Sequence, residues 1–407
     1  MVDFTVPPEL DDLRRRVAGF IRDEVVPVER ELAETNLEAV LGPLRARARE
    51  AGLWTPHLPP EWGGLGVGPL GMALISEECG PSALASLALN AMAPDEGNMH
   101  LLLHAGTDEQ KDRYLRPLAG GEVRSCFAMT ERSAGSDPTM LRTRAVPDGD
   151  GWSLDGEKWF ITGAEGAAFA IVVALTEPEH EDPRRRHSLF LVDADTSGWK
   201  VVREIDVMGT HAPGGHCEVR LEGCRVPEDA LLGDRGAGLA LAQARLGPAR
   251  LAHAMRWIGV AQRALDMAAE RALEREAFGK ALAEHQGVQW MLADSAIQLY
   301  AARLMVLHAA WKIETGQDHR QEVSYVKVFV SEALGQIVDR ALQVHGALGY
   351  SGDLPLERFY RDARAARLYD GPSEVHRMAI ARALLRTARE TGSTRAAVVE
   401  GPARDRR

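Results

Sequence analysis

The period of the hydrophobic residues changes twice along this chain, and this change constrains the fold more than any other feature. Over residues 8–120 apolar residues recur every three or four positions, as in ELDDLRRRVAGFIRDEVV, which predicts amphipathic helices. Over residues 125–233 short runs such as FAIVVAL and HSLFLVDA alternate with Gly, Pro and Asp turns, which predicts strands. The helical period returns over residues 239–389. The sequence therefore predicts helices, then a β-region, then helices of bundle length.

The predicted domains follow these changes in period. We expect an N-terminal α-helical domain over residues 1–123, a middle β-domain over 124–234 and a C-terminal helical domain over 235–390. The tail TGSTRAAVVEGPARDRR, residues 391–407, has small and charged residues without a period, so we expect it to be poorly ordered.

Composition argues against several classes of function. A formal net charge of −11 gives no broad attraction to nucleic acid or anionic membranes. The four cysteines form no C-x-x-C pair and have no histidines at zinc spacing, so we expect no metal and a reduced, cytoplasmic location. The N-terminus lacks the pattern of a secretory signal, and no apolar run is long enough to span a membrane.

Nucleotide-binding and hydrolase motifs give no positive signal. The segment GVGPLG formally matches G-x-G-x-x-G, but PPEWGG precedes it where a strand is required and Pro69 interrupts the turn. We interpret this segment as a loop. The sequence contains no P-loop, H-E-x-x-H or G-x-S-x-G motif, so nucleotide hydrolysis, zinc proteolysis and hydrolase chemistry lose their usual support.

Two segments of the β-region have the composition of a site for a planar ring. In CFAMTERSAGSD, Phe127 and Met129 are apolar groups that can pack on a heteroaromatic ligand, and Thr130 and Ser136 can donate to its polar edge. The segment KWFITGA repeats the order of aromatic followed by hydroxyl. A strand that ends in a solvated turn has the same composition, so both interpretations remain open.

Two segments of the C-terminal helices are candidates for contact with an anion. LEREAFGKALAEHQ is broken at Phe278 and Gly279, which Arg275 and Lys280 flank as in a contact surface for an aromatic anion. QVHGALGY offers backbone N–H groups to a pyrophosphate after a helix. A solvated helix face and a glycine C-cap explain the same two segments without a ligand.

The segment RLYDGPSEVHR admits two interpretations of Asp370. Asp-Gly-Pro is common turn chemistry before a helix, in which Asp caps and Pro takes the first helical position. The same carboxylate can serve as the base of an enzyme.

Together and in this order, these segments resemble the acyl-CoA dehydrogenase family of flavoproteins. The resemblance also includes CRVPEDALLG and runs from about residue 8 to 390, and APDEGNMH, GGHCEV and RLGPARL resemble the branch of animal family members 10 and 11. It implies a multi-domain α+β fold, with a helical N-terminal domain, a middle β-barrel and a C-terminal four-helix bundle. Non-covalent FAD would be held between these domains.

The resemblance implies two sets of FAD contacts. The first would lie along the flavin: Phe127, Met129, Thr130, Ser136, Phe160 and Thr162. The second would reach the FAD of a neighbouring subunit: Arg275, Phe278, Gln286, Gln343, Gly346 and Ala347. The family pattern therefore implies a homo-oligomer, commonly a dimer of dimers. The resemblance also implies FAD contacts for Pro372 and Glu374, which stand where Thr and Gln are common.

Asp370 matches the family's catalytic base, which is usually a Glu in a Y-E-G-T setting and so one C–C bond, about 1.5 Å, longer. The alternative base position is Ala249, which leaves no competing carboxylate. Substrate contacts would come from Ser136, Arg250, Tyr369 and Gly371. Asp370 would take the α-proton and the β-hydride would pass to flavin N5, giving a trans-2-enoyl-CoA from an acyl-CoA thioester. By resemblance, an electron-transfer flavoprotein accepts the electrons.

Two other functions remain open on this scaffold. One is a flavin oxidase of the nitroalkane-oxidase type, which also uses Asp and is recognised by oxygen consumption. The other is a non-catalytic DNA-associated relative, which is recognised by salt-dependent retention on DNA.

Overall fold

A computed structural model describes residues 5–33, 36–208, 213–395 and 397–398. The N-terminal helices are α1 (Pro8–Phe20), α2 (Leu37–Glu50), α3 (Pro69–Cys79), α4 (Ala85–Ala88), α5 (Asp95–Ala105), α6 (Asp108–Gln110) and α7 (Arg116–Ala119). The C-terminal helices are α8 (Gly238–Glu274), α9 (Gln286–Glu314), α10 (Arg320–His345), α11 (Ala347–Tyr350), α12 (Leu356–Ala365) and α13 (Ser373–Thr391). Of the predicted disordered tail, residues 396 and 399–407 lie outside the described residues.

Short 3₁₀ or π segments extend the helices or lie in the connections between helices or strands. They are Ile21–Val25, Val26–Ala33, Pro60–Trp62, Lys111–Leu115, Pro138–Met140, Pro183–Arg185, Glu228–Ala230 and Leu282–Glu284. Local chemistry sets two of the helix starts: the Asn36 side chain accepts from the backbone N–H of Ala39 at α2, and Thr107 forms a capping box with Gln110 at α6.

The middle region is one large sheet. Its strands are β1 (Ser125–Ala128), β2 (Arg144–Asp148), β3 (Gly151–Thr162), β4 (Phe169–Leu175), β5 (His187–Asp193), β6 (Trp199–Glu204), β7 (His216–Pro227) and β8 (Leu231–Leu232). They follow the order β6-β7-β3-β2-β4-β5-β8, and β1 adds to β4 in parallel. A separate hairpin joins β9 (Glu276–Ala277) to β10 (Lys280–Ala281).

The predicted closed barrel is wrong, because the described part of the sheet is open, with β6 and β8 at its two ends. One face of β4, with Phe169 and Ile171, packs on N-terminal helical residues such as Leu101. The other face, with Ala170, packs with Trp152 of β3. A strand buried on both faces has the same apolar run in an open or a closed sheet, so the sequence pattern does not report closure.

The four long helices of the C-terminal region are α8, α9, α10 and α13, which confirms the expected bundle. The predicted stripe of α10 is buried throughout: Val323, Val326, Val330, Ala333, Ile337 and Ala341. Helix α8 also contacts the N-terminal helices at Gly259, where an added Cβ would lie 2.8 Å from the Cα of Gly80. This helix therefore connects the bundle to the rest of the protein. None of the helices in the described residues is long and apolar enough to cross a bilayer.

Candidate active site

The loop between α12 and α13 carries Asp370 in an unusual backbone conformation. Its φ is +54°, in the left-handed region, which Asp adopts more readily than most residues with a side chain. Gly371 follows with a φ of +90°, and a Cβ there would lie 2.8 Å from Nε2 of His376. Only glycine therefore fits at position 371.

Buried basic groups hold this loop by its backbone carbonyls. The carbonyl of Asp370 accepts a hydrogen bond from Arg250 Nε at 2.9 Å, and Nε2 of His376 lies 3.2 Å from the same oxygen. Lys327 Nζ donates to the carbonyl of Gly371 at 3.2 Å and to that of Ala366 at 2.7 Å. The structure thus brings Arg250, a predicted substrate contact, to the backbone carbonyl of Asp370.

The carboxylate of Asp370 faces a histidine and an aromatic wall. Its Oδ2 lies 3.3 Å from Nδ1 of His253, although Oδ2 accepts no well-aligned hydrogen bond from the described residues. The His253 ring meets the ring of Tyr369 edge-on, with centroids 5.3 Å apart. Trp257 Nε1 donates to the hydroxyl of Tyr369 at 3.0 Å. These contacts place the carboxylate beside aromatic rings, with cationic side chains near it.

Burial sets the charge state of the groups around Asp370. It lowers the pKa of Lys327 to about 8 and that of Arg245 to about 10, although the nearby carboxylate of Asp370 opposes both shifts. It also lowers the pKa of His253 to about 3 and that of His376 to about 4. Both histidines are therefore neutral near pH 7, and the arginine and most of the lysine remain charged.

Arg245 connects Asp370 to helix α5 and to strand β1. Its guanidinium lies over the ring of Phe127, 4.2 Å from the centroid, and its Nε donates to Oδ1 of Asn98 at 2.9 Å. A Cβ at Gly97 would lie 2.9 Å from Arg245 Cζ, so glycine makes room for this side chain. The structure therefore brings Phe127 and Asp370, which are 243 positions apart in the sequence numbering, to one region.

The predicted flavin-edge residues lie together on the sheet. The backbone N–H of Trp159 donates to the carbonyl of Thr130 at 2.8 Å, which brings the two motifs side by side. Phe160 has a φ of +59° and is 45% exposed, and Thr162 Oγ1 lies 2.9 Å from Nδ1 of His216. Met129 is partly buried and packs on the nearby apolar cluster. Ser136 is exposed.

This arrangement fits a flavin. An aromatic side chain held outward by a left-handed backbone, beside hydroxyl groups and part-buried apolar side chains, offers what a planar heteroaromatic ring requires. Backbone strain of this kind at an exposed bulky residue is typical of ligand sites.

The second predicted set is exposed in the single chain. Phe278, at the tip of the β9–β10 hairpin, is 98% exposed with a φ of +53°. The other members are also exposed: Arg275, Gln286, Gln343, Gly346 and Ala347. Pro372 is the N-cap residue of α13, and Glu374 lies exposed, 3.7 Å from Arg377. Within one chain these residues form no enclosed site, so their FAD contact stays a prediction.

The sequence interpretation missed His253, Lys327, His376 and Arg245. Helical spacing carried a signal for the first, because His253 follows Arg250 by three positions and precedes Trp257 by four, on one face of α8. Lys327 follows Val326 inside the buried stripe of α10, and a lysine in such a stripe indicates a buried partner. The contact of Arg245 with α5 has no local signal.

Family profiles match nearly the whole chain. Residues 7–122 match the N-terminal domain of acyl-CoA dehydrogenases, residues 126–224 the middle domain and residues 236–385 the C-terminal domain.

Two relatives show how far the similarity extends. The chain is 38% identical over 412 aligned positions to "Probable acyl-CoA dehydrogenase FadE2" of Mycobacterium tuberculosis, with 98% of this chain and 100% of that protein covered. It is 37% identical to acyl-CoA dehydrogenase family member 11 of Homo sapiens, with 91% of this chain and 50% of that protein covered. The chain thus spans the whole length of the first relative and about half of the second.

Solved structures agree with this similarity. A structure from Mycobacterium abscessus superposes with a TM-score of 0.90 at 39% identity, covering 95% of this chain and 100% of that one. The FAD complex of PigA superposes with a TM-score of 0.83 at 27% identity, covering 94% and 98%.

Proposed function

The protein belongs to the acyl-CoA dehydrogenase family of FAD-dependent oxidoreductases, and from this premise we propose that it oxidises an acyl-CoA thioester with Asp370 as the catalytic base. One observation carries the proposal: the loop is anchored through backbone carbonyls, so the carboxylate of Asp370 is left available beside the aromatic rings of Tyr369 and Trp257. A carboxylate held in this way is suited to take a proton from carbon.

Asp370 is proposed to take the α-proton of the thioester. A free carboxylate is a weak base for such a carbon acid, so the site must also stabilise the enolate. The backbone N–H of Asp370 is proposed to donate to the thioester oxygen. Arg250 holds the backbone carbonyl of Asp370 by a hydrogen bond. Tyr369 and Gly371 flank Asp370 in the sequence. Removal of both hydrogens gives a trans-2-enoyl-CoA.

FAD, when bound, accepts the hydride that leaves the β-carbon. Phe127, Met129, Thr130 and Ser136 are proposed to hold one side of it, and Phe160 with Thr162 the other. The open aromatic and hydroxyl surface at Phe160 supports this assignment.

A homo-oligomer, a dimer of dimers, is part of the proposal. Large apolar side chains stand exposed along the end of α8, the hairpin and α9: Leu273, Phe278, Trp290, Ile297 and Tyr300. Such a surface is typical of an interface. Arg275, Gln286, Gln343, Gly346 and Ala347 would then contact the FAD of the neighbour. An electron-transfer flavoprotein as acceptor, a role in β-oxidation and a cytoplasmic location complete the proposal.

The central test is Asp370→Asn. Because the amide keeps the shape of the side chain but cannot accept the α-proton, we expect bleaching of the flavin by acyl-CoA to fall at least about a thousandfold. FAD content and thermal midpoint should stay near wild type, since Asn also tolerates the left-handed backbone. The measurement is anaerobic stopped-flow bleaching with acyl-CoA thioesters from short to very long.

One outcome of this experiment would contradict the role of Asp370 as the base. If Asp370→Asn bleaches at the wild-type rate with any thioester, Asp370 is a turn residue and another group is the base. Oxygen consumption by the wild type, measured in parallel, separates a dehydrogenase from an oxidase.

A further inference from the structure

His253 contacts the group that the proposed reaction uses, and the proposed function assigns it no role. Its Nδ1 lies 3.3 Å from Oδ2 of Asp370, and both side chains are largely buried, with 15% and 19% of their surfaces exposed. Its Nε2 is buried and has no hydrogen-bond partner among the described residues. The ring therefore has one polar neighbour on one side and apolar surroundings on the other.

The aromatic wall fixes the orientation of this ring. His253 meets Tyr369 edge-on, with the ring planes at 75°, and meets Trp257 edge-on at 73°. Trp257 in turn donates a hydrogen bond to Tyr369. A ring packed in this way keeps Nδ1 beside the carboxylate, 3.3 Å from Oδ2.

The charged groups around the pair keep the imidazole neutral. Burial contributes most to its low pKa, and nearby cations add to the effect. The titratable and charged groups facing His253 and Asp370 are Arg245, Arg250 and Arg256 of α8, Lys327 of α10, Tyr369 of the loop and His376 of α13. A neutral imidazole cannot form an ion pair, so its contact with Asp370 depends on which nitrogen carries the proton.

The carboxylate decides that tautomer. In the Nδ1–H tautomer, the proton faces a negatively charged carboxylate oxygen. In the Nε2–H tautomer, the N–H group would be a buried donor without a partner among the described residues, and the lone pair of Nδ1 would face the carboxylate and be repelled by it. The Nδ1–H tautomer is therefore the stable one. Because Nε2 has no onward partner, the ring cannot carry a proton away from Asp370.

We propose that neutral His253 is a positioning residue, whose Nδ1–H keeps the Asp370 carboxylate in one orientation for abstraction of the α-proton. This inference rests on the proposed function. It adds a residue on α8 that selects the rotamer of Asp370.

The test compares three substitutions that differ in where they place a donor. His253→Asn puts an N–H at nearly the position of Nδ1, His253→Gln puts it one bond further away, and His253→Leu removes it. We expect His253→Leu to slow anaerobic flavin bleaching at least about tenfold and His253→Gln to be similarly slow. His253→Asn should recover to within about threefold of wild type. His57→Leu, at another buried neutral histidine, should have no effect on this rate.

A second readout is independent of turnover. The carboxylate stretching band of the oxidised holoenzyme that Asp370→Asn removes reports the hydrogen bonding of the Asp370 carboxylate directly. Without the donor this band should shift in frequency, so we expect a shift in His253→Leu and a return to the wild-type frequency in His253→Asn. A role in packing alone does not produce rescue by Asn and failure by Gln.

The outcomes separate this inference from the proposed function. An unchanged carboxylate band in His253→Leu, or equal loss of rate in the Asn and Leu variants at wild-type thermal midpoints, overturns the role of His253. If instead the band shifts as expected but wild type bleaches with no acyl-CoA, the contact is correct and the proposed function is wrong.

Discussion

The backbone at position 370 selects aspartate over glutamate. A φ of +54° is accessible to Asp and Asn at small cost, whereas most longer side chains pay about 1 kcal/mol or more there. The shorter acid in this chain, compared with the Glu of the resembled family, is therefore matched to the conformation of its loop.

Asp370→Glu tests this match. We expect the free energy of unfolding to fall by about 1 kcal/mol because of the left-handed backbone, whereas Asp370→Asn should change it little. Flavin bleaching should persist with an altered preference for acyl-chain length, since the carboxylate reaches about 1.5 Å further. Chemical denaturation and stopped-flow bleaching measure the two effects. Equal stability of the Glu and Asn variants would show that the backbone conformation does not favour aspartate over glutamate at position 370.

The β9–β10 hairpin is exposed in the single chain although it carries a phenylalanine at its tip. Phe278 has a left-handed backbone, is 98% exposed and meets the edge of the His285 ring, with centroids 6.4 Å apart. Burying such a ring against another subunit removes a large apolar surface from water. We therefore propose that the hairpin completes a site on a neighbouring chain.

Arg275→Ala tests that role of the hairpin. Loss of a charged contact to an anionic cofactor should weaken FAD retention at least about tenfold and shift the oligomer toward smaller species. FAD absorbance after gel filtration and light scattering measure the two effects together. The exposed Arg15 on α1 provides a matched control, and Arg15→Ala should keep the FAD content and the oligomeric state of wild type. A monomeric Arg275→Ala protein that retained all its FAD would rule out a contact between subunits.

The elements differ in how well their sequences predict them. The stripe of α10 is predictable because burial on one helix face imposes a period that stays within the segment. Closure of the sheet cannot be predicted in this way, because it depends on whether β6 and β8 pair with each other. The sequence of an edge strand does not show whether a further strand lies beside it. At the site, Asp370 and Arg250 are predicted from the resemblance of their motifs, and the structure places Arg250 Nε 2.9 Å from the carbonyl oxygen of Asp370. The contact of Asp370 with His253 is set by the packing of α8 against the loop, which no local pattern describes.

Among the residues that the structure describes, burial lowers the pKa of five histidines: His57, His100, His187, His253 and His376. Below pH 6.5 each binds its proton more readily in the unfolded chain than in the native one, so its contribution to stability falls as the pH falls. Asp95 acts in the opposite direction. Burial raises the pKa of Asp95 to about 6. Its contribution to the stability of the folded protein is therefore fully present below the pKa that Asp95 has in the unfolded chain, and it is lost as the pH rises through 6.

His57→Leu isolates one of these contributions. Neither ring nitrogen of His57 has a hydrogen-bond partner among the described residues, so an apolar side chain should be tolerated at pH 7.5. Below pH 6.5 the variant should gain stability over wild type by about 1.4 kcal/mol per pH unit, because the unfolded chain no longer binds this proton. Urea denaturation at pH 7.5, 6.5 and 5.5 measures the difference. A difference that stays constant with pH would mean that His57 is protonated in the native state.

The anchoring of the loop by its carbonyls has a consequence for how this site can change over time. Arg250, His376 and Lys327 bind oxygens that every amino acid supplies, so none of these contacts depends on which side chain occupies position 370. Folding therefore places few demands on that side chain beyond tolerance of the left-handed backbone. Natural selection at position 370 can therefore act on the reactivity of the side chain. A single substitution there can change the reaction while the loop keeps its conformation.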